Sequence, residues 1–151
     1  TEAIFSWPGM GQTLLNAVLS EDLPLALGAL VFVGIFALIA HLVAWQIWAL
    51  DVAKDLAVGE TSPTIARLDA LWDERGDALN DDIQAEWRAL PLDEVRERFA
   101  TVPGELRGYL TVVPESRWVQ HATHLGTFTA EPIEHYADHV ADLETILDAV
   151  G

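Results

Sequence analysis

Three histidines in this chain have the types and spacing to share one metal ion. His135 and His139 lie four residues apart in EHYADH, so a helix through them would carry both rings on one face, about 6 Å apart. His41 sits far upstream in an apolar run, where a polar ring is costly unless it has a partner. Two neutral imidazoles bind a divalent ion only with a third ligand from elsewhere, and three leave a coordination position for water. The plainer alternatives are two partly exposed helix histidines, and a buried His41 bonded to a neighbouring side chain or carbonyl. His121 and His124, three apart beside Trp118, read as ordinary polar residues on a short surface helix, with a place behind a metal ligand or facing a substrate as the alternative. Asp142 reads as a solvated acid, its alternative being to accept an N–H from His139 three residues before it. The chain carries neither a glycine-rich phosphate loop nor a G-x-S-x-G nucleophile signature.

His41 must be positioned by the stretch from Leu23 to Leu50, which contains no Asp, Glu, Lys or Arg. As one helix it would run roughly 40 Å at 1.5 Å per residue, against the ~30 Å hydrocarbon core of a bilayer. Pro24 suits its first turn, and Trp45 and Trp48 suit a membrane interface. Up to about Ala40 it is apolar all round, which demands lipid or complete burial. Gly28 and Gly34 should not break such a helix.

Charge is distributed unevenly along the 151 residues. The first fifty carry only Glu2, Glu21 and Asp22, whereas residues 51–151 carry the other 21 acids and all 8 bases, hence −13 of the −16 total. That acidity argues against nucleic acid and anionic lipid headgroups as partners, because both would be repelled. There is no cysteine, which excludes disulfides, thiolate–zinc sites and cysteine nucleophiles. Trp7-Pro8-Gly9 and the lack of basic residues ahead of the apolar run argue against a signal peptide. The chain opens without Met, so a longer reading frame is expected upstream.

Downstream, apolar spacing predicts helices throughout. One should end at Gly59. A turn at Thr61–Thr64 then leads to a helical stretch over 65–90, weakened or split at Gly76. Pro91 should start a helix carrying Val95, Phe99, Val102, Leu106 and Leu110, kinked or broken at Pro103-Gly104. Residues 111–128 read as loop with a short helical piece around Trp118–Leu125. Thr129 should cap a last helix with Ile133, Tyr136, Val140, Leu143 and Leu147 as its buried stripe. The five tryptophans from Trp45 to Trp118 are expected in the interior. The fold class is all-α.

Two resemblances overlay this pattern. IFSWPGMGQTLLNAVLSEDLPLALGALVF, through Phe5, Ser6, Trp7, Pro8, Gly9, Gly11, Asp22, Pro24 and Gly28, resembles the last cytoplasmic loop and final membrane helix of peptide-type ABC transporter permeases. That likeness covers residues 1–38 and extends to 53 at most. A-H-L-x-x-W-Q at His41, followed by E-H-Y-x-x-H-x-x-D-L at His135, resembles the DinB-like metal-binding four-helix bundles over residues 39–149. This second resemblance implies a divalent metal, zinc, nickel or similar, on His41, His135 and His139. It also implies hydrolysis or a thiol-dependent transfer or isomerisation of a small molecule. The thiol would be a separate cosubstrate.

The expected organisation is therefore a permease-like loop and apolar helix over 1–38, fused to a DinB-like bundle over 39–151 whose first helix is missing or replaced. Residues 23–40 should project, contact lipid or other helices, and make the chain poorly soluble without detergent. Residues 51–151 would lie in the cytoplasm beside the membrane. The alternatives are a wholly cytoplasmic protein, or the C-terminal fragment of a permease with a passive acidic tail.

Overall fold

The computed structural model describes residues 10–148, so the Phe5-Ser6-Trp7-Pro8-Gly9 motif lies outside the described residues. Helix α1, Met10–Leu19, and the much longer α2, Leu23–Val58, form a helical hairpin. Glu21 turns the chain with φ +56, a left-handed conformation more usual for glycine at a helix end. Asp22 caps α2 by accepting from the Leu25 amide at 3.1 Å, and Pro24 occupies the first turn, where its missing N–H costs nothing. Buried Ala17, Ala26 and Ala29 let the two helices approach closely.

Helix α2 runs without interruption through residues 36–42, as the apolar pattern predicts, and stops at Gly59, whose amide bonds back to the Asp55 carbonyl. It changes character along its length. Leu23, Leu25, Leu27, Leu30 and Phe32 stand exposed, whereas Val43, Ala44, Trp45, Ala49, Leu50, Val52, Ala53 and Leu56 are buried. The buried half is the axis of the molecule. Around it pack α3 (Pro63–Arg75), α4 (Ala78–Arg88) and α5 (Leu92–Val112), with Leu79, Ile83, Trp87, Val95, Val102 and Leu106 completing the core.

The connections are built from local hydrogen bonds. Asp55 Oδ2 accepts from Ser62 Oγ (2.8 Å) and the Thr64 amide (3.1 Å), while Ser62 Oγ caps α3 by accepting from the Ile65 amide. Arg117 donates to the Leu56 carbonyl at 3.0 Å, one of the acceptors the end of α2 leaves over. Gly76, at φ +52, splits α3 from α4 where the sequence is weakest.

From α5 onward the structure departs from expectation in places. Helix α5 runs unbroken through Pro103-Gly104 to Val112, where a kink or a break was expected, and residues 111–128 hold two helices, α6 (Glu115–Trp118) and α7 (Ala122–Thr129). Thr129 does not cap a new helix. It lies inside a helical run that widens into a π turn at Ala130–Glu134, returns to α geometry in α8 (His135–Asp138), breaks at His139 and resumes as α9 (Val140–Asp148). Each change of register rotates the following residues. A stripe counted at 3.6 residues per turn therefore does not stay on one face, and Ile133, Tyr136, Val140, Leu143 and Leu147 are all exposed. Helix α9 crosses α2 at Gly34, where an added Cβ would lie 3.3 Å from Ile146 Cδ1. The described residues contain helices and turns and no strand: the fold is all-α.

Candidate metal centre

His41 stands at the point where α2 passes from its exposed half into the core, and the ring is buried. The π turn and α8 lie against α2 and carry His135, while the break at His139 gives that residue φ −93 and ψ 5, off the regular helix. Isolated π turns recur at functional sites because the extra residue re-aims the side chains that follow. The three histidines converge here. His41 Nε2 and His135 Nε2 are 3.1 Å apart, and one ring nitrogen from each of the three lies within 4.8 Å of the others. Ring centroids are 4.9–5.0 Å apart around the triangle.

The outer nitrogens face carboxylates. His135 Nδ1 is 3.0 Å from Glu131 Oε2, and His139 Nδ1 is 2.6 Å from Asp142 Oδ2. With these carboxylates ionised, a proton on Nδ1 is donated to each, and the Nε2 lone pair is left free to bind. His41 differs, since its Nδ1 is buried with no partner.

Electrostatics favour neutral rings. Burial, followed by the neighbouring His135 and His139, pushes the His41 pKa down to about 4. Burial and then His139 lower His135, against a smaller opposing pull from Asp138. Burial raises the Glu131 carboxyl to about 7. At neutral pH the two inner rings therefore need lose no proton to accept a cation.

The residues fit a metal. Two ligands at the usual 2.0–2.1 Å zinc–nitrogen distance and a tetrahedral angle are separated by roughly 3.3 Å, close to the His41–His135 spacing. Three histidines leave a position open, and the triad faces a cavity of about 410 Å³ that Asn80, Gln84 and Asp142 also line. A second cavity of about 610 Å³ adjoins at His135 and Asn80, walled by Trp45, Trp72 and several carboxylates including Asp69 and Asp73. Trp45 and Trp72 therefore serve a cavity wall as well as, for Trp45, the core.

Of the other sequence candidates, Asp142 proves to be a partner of His139 rather than a merely solvated acid. His121 and His124 stay outside the cluster. Their rings stack at 3.7 Å, His121 Nδ1 accepts from the His124 amide at the start of α7, and His124 is buried with Nδ1 2.5 Å from the Arg117 carbonyl. His124 is thus a structural core residue rather than a surface one. Glu131 is not among the candidates the sequence singles out. Its position four residues before His135 was the available signal, since that spacing reaches back along a helix to the ring's outer nitrogen.

Comparison with known proteins bears on a different part of the problem. Two curated proteins provisionally described as peptide permeases, from Brucella ovis and Brucella suis biovar 1, are each 42% identical to this chain over 41 residues. That is 27% of this chain and 13% of theirs, so the match spans a small fraction of either relative. The permease likeness of one segment is thereby supported. No protein-family model matches the chain, and no solved structure matches it.

Proposed function

We propose that this chain is a divalent-metal-binding helical protein, with the ion held by His41, His135 and His139. The observation that carries this is the meeting of three imidazole nitrogens from distant parts of the chain, two of the rings backed by a carboxylate on the outer nitrogen. A divalent ion there would act as a Lewis acid and lower the pKa of a bound water or thiol. The chain's own part is to hold three imidazole donors, to orient two rings through Glu131 and Asp142, and to keep an open cavity at the fourth position. Substrates would be small molecules, and any thiol must come from outside because the chain has none. The order and spacing of the His41 and His135 motifs support a DinB-like hydrolase or thiol-dependent transferase.

The test is calorimetric titration of the metal-free chain with zinc and nickel. One ion per chain is expected, and His135→Ala should abolish stoichiometric binding. Absence of binding in the folded wild-type chain would leave a hydrogen-bonded histidine cluster as the correct account.

A second reading concerns the N-terminal part, and the 41-residue permease match favours it. There the chain is a permease-derived segment that attaches to a membrane, with the acidic remainder on the cytoplasmic side. By length and composition α2 is apolar enough to cross a bilayer. Retention in liposomes would support this reading, and a detergent-free monomer with no dye-accessible apolar surface would count against it. The two readings concern different residues and are compatible.

A further inference from the structure

The cavity of about 610 Å³ that adjoins the triad has a wall of unusual composition. Trp72 lines it from α3 and is 42% exposed, so its ring is open to whatever the cavity holds. The buried Trp45 makes a corner with it, the ring centroids 6.0 Å apart and the planes at 67°. Four of the lining carboxylates are exposed as well: Asp69 and Asp73 on α3, Glu134 at the end of the π turn and Asp138 on α8. A fifth, Glu131, faces His135 instead.

Asp69 and Asp73 are four residues apart on one helix, and Glu134 and Asp138 are four apart on the other helical run. Like charges at that spacing repel, and here both pairs border one space. Among the described residues no Lys or Arg lines the cavity, and none of the four acids has a salt bridge to one. The arginines of α3 are engaged elsewhere: Arg67 lies over the Trp48 ring at 4.7 Å, and Arg75 pairs with Asp82 at 2.6 Å. A cation in the cavity would relieve the repulsion. A bare metal ion fits poorly, because it draws its ligand atoms together, and among the described residues only the three histidines converge that closely. Acids spread around an open space beside an aromatic face suit a larger, weakly hydrated cation, attracted by the ring face and by the carboxylates together.

We propose that this cavity binds a small organic ammonium, and that such a cation is the substrate class of the adjoining metal centre. The ammonium lies between Trp72 and the Asp69–Asp73 pair, and the rest of the molecule extends toward His135, which lines the same cavity. Binding of the cation stands on the cavity alone, whereas its role as substrate rests on the metal reading above.

The probes are choline and 3,3-dimethylbutanol, which share a shape and differ in a charged nitrogen against a neutral carbon. Each is titrated into the full-length chain in nonionic detergent with chelator present, followed through the indole N–H resonances of Trp45 and Trp72. Choline is expected to bind about tenfold more tightly than the alcohol. Trp72→Leu, and separately Asp69→Asn with Asp73→Asn, should each weaken choline by about fivefold. Glu97→Gln with Glu105→Gln removes the same charge from exposed positions outside the cavity, and should change choline binding by less than about twofold. Equal affinity for the two probes, no binding of choline, or equal weakening by the two double substitutions would overturn the proposal. With cobalt in place of chelator, the choline methyl protons should relax faster than with zinc, and identical relaxation would overturn the role as substrate. The two readings fail separately: choline binding without metal uptake sinks the metal centre, and metal uptake without choline binding sinks the ammonium site.

Discussion

Glu131 and Asp142 act at the scale of single hydrogen bonds. Each holds the outer nitrogen of a histidine, and losing such a partner typically costs 10–100-fold in metal affinity. Glu131→Gln should therefore weaken zinc binding by about that factor in a competition assay with a coloured chelator, without changing the stoichiometry. The same group shapes the pH dependence of the metal-free chain. His41 takes up a proton near pH 6.5 when unfolded but only near 4 when folded, so between those values unfolding binds a proton and stability rises with pH. At 1.36 kcal/mol per pKa unit this amounts to on the order of 3 kcal/mol, fully present above pH 6.5 and lost by pH 4. His135, also lowered, acts in the same direction. Glu131 opposes them, because a carboxyl raised to about 7 contributes stability below its unfolded value of 4.5 and loses it as pH rises through 7. Solvent access to its side chain reduces that share. Thermal melts in chelator should show Tm falling from pH 6.5 to 4, and falling more steeply in Glu131→Gln. A flat profile in both chains would contradict this account of burial at the site.

Two elements carry separable burdens. The Asp55–Ser62 link closes the corner between α2 and α3, with two hydrogen bonds to one carboxylate oxygen. Burial alone would raise the Asp55 pKa, but the bonds from Ser62 and Thr64 outweigh it and bring it below its ordinary value. Asp55→Ala should cost about 0.5–2 kcal/mol, the range for a lost cap, as measured by urea denaturation at pH 7. The hairpin of α1 and early α2 has a different task. Because Ile146 of α9 is seated at Gly34, the part of α2 that extends past the bundle is residues 23–33, about 16 Å of helix and roughly half the hydrocarbon core. With the bundle intact, the hairpin is long enough to enter one leaflet only. Replacing Leu30 and Phe32, both exposed, with Asp should abolish flotation with neutral liposomes and leave metal affinity within twofold of wild type. Flotation that survives the double substitution would move the membrane contact elsewhere.

At the scale of the whole molecule, the triad ties the middle of α2 to the C-terminal segment across 94 residues. Much of that segment's apolar surface is exposed, and besides the histidines the Gln46–Tyr136 hydrogen bond and Ile146 at Gly34 hold it to α2. Saturation with metal at 100 times Kd should stabilise the chain by about 2.7 kcal/mol. The accompanying gain in amide protection should concentrate in 130–148, and a gain spread evenly over all helices would argue against a local clamp. The class of this fold was legible in the residues themselves. Apolar spacing, Gly59, Gly76 and Pro91 mark helices and their ends, because capping and periodicity act between near neighbours. The three histidines were legible too, from their types, their spacing and the cost of an imidazole in an apolar helix. What the sequence could not determine lies beyond residue 111. Local preference does not specify a π turn at Ala130–Glu134 or the break at His139, since each is set by how the last segment packs on α2. The partnership of Glu131 with His135 and the burial of His124 likewise follow from tertiary packing. They depend on distances between residues far apart in the chain, and only the tertiary structure decides those.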